Sequence, residues 1–100
     1  MSEFENEIRA LKEKTDANRR AFLQVELQTC FVALDRARLE LSMGKVDEAE
    51  KEFEIATRGK QVIEKLLRKT AGLMSEIEPK LAELKASLAS LRAEIDAYPS

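Results

Sequence analysis

From Phe4 onward, Phe4, Ile8, Leu11, Thr15, Asn18, Phe22, Val25, Thr29, Val32, Arg36, Leu39 and Met43 follow one another at alternating spacings of four and three. That alternation holds one stripe on one face of a helix. Ser2 and Glu5 stand at capping-box spacing and set the expected start of this first helix, which spans 2–42. Between Ala21 and Leu41 a second stripe joins the first: Leu23, Leu27, Cys30, Leu34, Ala37 and Leu41, with Phe31 between the two. A helix apolar around so much of its circumference needs cover from at least two sides.

Met43-Gly44-Lys45 interrupts the pattern, and glycine supplies the left-handed conformation that commonly ends a helix, so the turn is expected at 43–46. Asp47 and Glu50 repeat the capping spacing, which predicts a second helix over 47–71. Its acidic residues, Asp47, Glu48, Glu50, Glu52 and Glu54, gather at the start. Its basic ones, Arg58, Lys60, Lys65, Arg68 and Lys69, gather towards the end, matching the helix dipole.

A heptad register begins at Val46 and runs to the last residues without slipping. Its a positions are Val46, Phe53, Lys60, Leu67, Met74, Leu81, Leu88 and Ile95, and its d positions Ala49, Ala56, Ile63, Thr70, Ile77, Leu84, Leu91 and Tyr98. From Met74 onward every one is apolar, a coiled-coil signal. Gly72, the Ser75–Glu78 capping pair and Pro79 argue for a bend or break at 72–75 and a third helix over 76–98. The unbroken phase argues for continuity. The expected fold is all-α, a single domain over 1–100, either an antiparallel helical hairpin or a three-helix bundle with coiled-coil packing.

Composition narrows the class without naming a function. The chain has 100 residues, 44% hydrophobic and 36% charged, which points to long helices rather than a low-complexity or disordered chain. A net charge of −2 creates no global field for nucleic acid or an anionic membrane. No apolar run approaches the roughly 20 residues that a bilayer span needs. The acidic start is unlike a secretory signal, and one cysteine cannot form an internal disulfide; both predict a cytoplasmic chain.

With no histidine, one cysteine and no Gly-rich phosphate loop, catalytic, cofactor and metal sites are not expected, and the chain reads as a non-enzyme. The acidic residues have a plainer role in i,i+4 pairs such as Asp47–Lys51, Glu54–Arg58, Glu64–Arg68 and Glu76–Lys80. Cys30, inside an apolar stripe, reads as a small core residue. Lys60 and Arg36, at core-type positions, read as side chains that snorkel at a seam or tune its specificity. The basic run in the second helix lacks interleaved aromatics, so nucleic-acid binding is not favoured.

Gly44, Ala49, Phe53 and Ala56 resemble the second-helix signature of a tetratricopeptide hairpin over one hairpin of the chain. No second copy follows 34 residues on, the repeat length of that family. The resemblance implies close packing of Ala49 and Ala56 against the first helix.

The sequence thus predicts a helical interaction or oligomerisation module. Its interaction seam is Met74, Ile77, Leu81, Leu84, Leu88, Leu91, Ile95 and Tyr98, self-associating as an antiparallel dimer centred near Ala86 or closed by a partner helix. In that dimer Glu78 would lie near Arg92 of the other copy. The alternative is an adaptor or secretion-chaperone-like protein whose seam a different protein completes.

Overall fold

The computed structural model describes residues 3–69 and 75–99. Within them the chain forms an all-α three-helix bundle: α1 (Glu3–Ser42), α2 (Val46–Lys69) and α3 (Ile77–Ala97). The Ser2 cap, Thr70, Gly72 and Met74 lie outside the described residues.

The first turn forms where glycine permits it. Gly44 has φ +78°, Lys45 N–H donates to Glu40 O (2.8 Å) and Gly44 N–H to Leu41 O (3.0 Å). These are the two bonds of a Schellman motif, and they satisfy carbonyls that the end of α1 would leave unpaired. The next helix then starts one residue earlier than the capping spacing suggested. Ala49 N–H donates to Lys45 O (3.0 Å), so Asp47 sits inside the first turn beside Glu48 instead of capping it, and Glu50 faces α3.

The second reversal separates α2 from α3. Arg92 bonds Glu50 and Lys85 approaches Glu64 (3.7 Å), so the two helices run antiparallel, and 46–98 is not one continuous helix. α3 opens on Glu76 in a right-handed helical conformation without a side-chain cap, so Ser75 and Glu78 do not form the expected capping pair. Pro79 is the third residue of α3, in the first turn, where a missing N–H costs no intrahelical bond. At the far end Tyr98 N–H donates to Ile95 O (3.2 Å) and the chain turns extended before Pro99.

The core collects one stripe from each helix. α1 contributes Leu23, Leu27, Cys30, Ala33, Leu34, Ala37 and Leu41; α2 contributes Ala49, Ala56 and Ile63; α3 contributes Ile77, Leu81, Leu84, Leu88, Leu91 and Ile95. Val46, Phe53, Leu67 and Tyr98 pack on its edge. Every described a and d position of the register that starts at Val46 is therefore buried or half-buried. Both helices point that register at the same centre, and no continuous helix is needed to keep the phase.

Close approach of α1 and α2 depends on small residues. Ala49 and Ala56 are fully buried, as the hairpin resemblance implied, and a Cβ placed on Gly59 would stand 2.3 Å from Cys30 Sγ. The described residues measure 67 Å end to end but only about 17 Å across. Forty helical residues span roughly 60 Å. Among the residues of α1 whose burial is described, Leu23 is the first buried one, and the core side chains run from it towards the Gly44 turn.

Candidate interaction surface

The predicted seam lies inside the chain. Ile77, Leu81, Leu84, Leu88, Leu91 and Ile95 are all buried among the α1 and α2 core side chains, Tyr98 is half-buried, and Met74 is outside the described residues. The apolar ribbon finds its helical mates within one molecule, so the antiparallel dimer centred near Ala86 would require opening the bundle. Arg92, expected near Glu78 of a second copy, instead spans the α2–α3 gap. Its guanidinium bonds both carboxylate oxygens of Glu50 (3.0 and 2.6 Å), reaches Asp96 Oδ1 (2.7 Å), and lies 4.9 Å from the centre of the Phe53 ring.

That bidentate bond holds the Glu50 carboxyl below its usual range, with burial opposing it, and the Glu50 and Asp96 bonds raise Arg92 further. Since both side chains remain more than one-third exposed, solvent screens the pair, which orients α3 more than it stabilises it.

What remains open to solvent is the other stripe of α1. Phe22, Val25, Val32, Leu39 and Met43 are between 44% and 59% exposed, and Thr15, Asn18, Thr29 and Arg36 between them are exposed too. On α2, Ile55 and Val62 are also exposed. The contacts of α3 fix the side on which this surface lies. Its start lies against Gln24, Leu27 and Phe31 on one flank of α1, and its later turns lie against Glu50, Phe53 and Thr57 on one flank of α2. Helical periodicity puts Phe22, Thr29 and Arg36 on the opposite flank of α1, and Ile55 and Val62 on the opposite flank of α2. Cys30 against Ala56 and Gly59 sets the level of the two helices, so Val32 stands level with Ile55 and Val25 level with Val62. The exposed apolar side chains of α1 and α2 thus form a ridge on the side away from α3, most of it on α1.

Along the ridge, Thr29 Oγ1 donates to its own helix at Val25 O (2.9 Å), which masks its hydroxyl locally. The stripe was visible in the sequence as the run of alternating four and three that starts at Phe4. What the sequence did not reveal was that the bundle would choose the shorter Leu23–Leu41 stripe and leave this one uncovered. Ile55 and Val62 carried no signal, since neither belongs to the a/d register.

The remaining candidates carry little chemistry. Cys30 is free and buried; burial, then the nearby Glu26 carboxylate, pushes its thiol up to about 11, and Sγ contacts Ala56 O at 3.6 Å. It is an inert core side chain, since reactivity belongs to the thiolate. The basic run is partly neutralised: Arg58 bonds Glu54 (2.6 Å), and Glu64 is shared by Lys60 (3.4 Å) and Lys85 instead of pairing with Arg68. Lys51 goes to Glu48 (3.5 Å), not Asp47. Lys60 is half-buried with its amine on Glu64, while Arg36 is exposed on the ridge.

Between the starts of α2 and the end of α1, an open depression of about 530 Å³ is lined by Glu40, Gly44, Lys45 and Asp47. Glu40 Oε2 is buried there without a hydrogen bond, 3.9 Å from Lys45 Nζ, a distance that allows charge attraction only. Among the described residues, no group of three or more His, Cys, Asp or Glu side chains is placed to hold a metal, and no helix is long and apolar enough to cross a membrane. No protein-family model, curated protein or solved structure matches the chain.

Proposed function

We propose that this chain is a non-catalytic helical interaction module that docks a partner helix along the α1–α2 ridge. The observation that carries this reading is the exposed α1 stripe. Nine described positions, Thr15 to Met43, keep heptad spacing over about 28 residues while a complete core is already built from another stripe. Large apolar side chains repeated at that spacing and left uncovered are of use when a second helix lies alongside. Five of the nine, Phe22, Val25, Val32, Leu39 and Met43, are large exposed apolar side chains, and a cluster of such side chains on a small chain is of the kind that marks interaction sites. The C-terminal seam then has a structural role, holding α3 against α1 and α2 so that the opposite side stays free. The same ridge serves the adaptor-like reading, in which a different protein supplies the helix.

Photo-crosslinking tests this. A benzoylphenylalanine placed at Val32 in the native cell should give one discrete cross-linked species that Val25→Glu abolishes, while the same probe at Arg38, on the α3 side, should give none. Equal labelling at the two positions, or none at Val32, refutes the reading.

A further inference from the structure

The charge pattern beside the ridge names its occupant. Resting on the reading above, we propose that a second copy of this chain lies antiparallel along α1, with Phe22 of each copy opposite Val25 of the other. In heptad terms the stripe has Thr15, Phe22, Thr29, Arg36 and Met43 at a, and Asn18, Val25, Val32 and Leu39 at d. Arg19, Glu26, Ala33 and Glu40 flank it on the α2 side; Ala21, Gln28, Asp35 and Ser42 flank it on the other. Flanking charges of this kind set the partner and orientation of paired helices.

With Phe22 facing Val25, Arg19 of each copy faces Glu26 of the other, an attraction that symmetry makes twice. Thr15 then faces Val32, and Asn18 faces Thr29, so the two polar positions nearest the centre meet each other instead of an apolar side chain.

The competing arrangements fail at their centres. Sliding the antiparallel pair by one heptad in either direction sets Glu26 against Glu26 or Arg19 against Arg19. A parallel pair in register puts Asp35 beside Glu40 of the other copy. Like charges at such sites repel and select against the arrangement.

The geometry of one chain accommodates this pairing. In the antiparallel pair Thr15–Phe22 lies along the Val25–Val32 face of the other copy, where Val25, Thr29 and Val32 are exposed. Four polar residues among the nine described stripe positions make the dimer weak and concentration-dependent, with its register well specified.

The test is the mass by light scattering during gel filtration, from low micromolar to millimolar chain. It should rise from 11.3 kDa towards twice that value. Arg19→Glu and Glu26→Arg should each weaken the dimer about tenfold, and the two together should restore it to within about threefold, since the swapped charges attract again. Val25→Glu should hold the chain monomeric, with an unchanged helical circular dichroism spectrum. A dimer that ignores these substitutions, or charge swaps without rescue, overturns the proposal. So does a wild type that is monomeric throughout; if the Val32 probe then still captures a different protein, the interaction-module reading survives and only the second copy is excluded.

Discussion

Gly59→Ala probes the close approach of α1 and α2. In an ordinary helix interior the change gains about 0.8–1 kcal/mol, because alanine loses less backbone entropy than glycine. Here the new methyl would stand 2.3 Å from Cys30 Sγ and 3.7 Å from Glu26 Oε2, so Cys30 must rotate or the helices must part. Cys30 is 1% exposed, with no free space to turn into, and overpacking of this kind costs about 1–3 kcal/mol. The net effect is a loss of about 1 kcal/mol, or roughly 4–8 °C in Tm for a chain of this size. Cys30→Ala alone removes one buried sulfur and loses about 1 kcal/mol. In the double variant the alanine methyl at 59 fills the space that the sulfur leaves, so stability returns to the wild-type level or above it. The double-mutant cycle therefore gives a favourable coupling of about 2 kcal/mol, read by urea denaturation followed by circular dichroism. A Gly59→Ala variant more stable than wild type, or a coupling near zero, would refute the close contact between α1 and α2 on which the whole packing argument stands.

Two further outcomes separate core from ridge and locate the surface clamp. Leu84→Ala, at a fully buried site, should cost about 2–5 kcal/mol, whereas Val32→Ala, half-exposed on the ridge, should change monomer stability by less than about 1 kcal/mol; equal losses in urea denaturation would contradict the burial pattern. Because Arg92 lowers the Glu50 carboxyl, the folded state binds that proton less readily than the unfolded chain does. The clamp's stabilisation is therefore complete above the ordinary carboxylate value of 4.5 and fades as pH falls through the lowered folded value. Thermal melts of wild type and Glu50→Gln should differ at neutral pH and converge in acid; a constant gap would place the Glu50 effect elsewhere than in its charge.

The extent of α1, the Gly44 turn and the apolar register of α2 and α3 were legible in the chain, because they depend on local conformation and on periodicity, whereas that register left open whether 46–98 was one helix or two. Gly44 alone supplies the positive φ that the Schellman bonds need, and residues 46–69 and 77–98 place their buried side chains where a repeat of seven puts them. Local chemistry said less about capping: tertiary pairing with Arg92 claimed Glu50, and α3 opened on Glu76 without a side-chain cap. Which of two apolar stripes on α1 enters the core was not legible at all. Each stripe has a workable period, and the choice fell to the one carrying Cys30 and Ala37, small side chains that let α2 come near through Ala56 and Gly59. Periodicity specifies a face within a single helix. Only the mutual fit of three helices decided which face was covered, so the leucine ribbon of α3 became core and the stripe from Thr15 to Met43 remained on the surface.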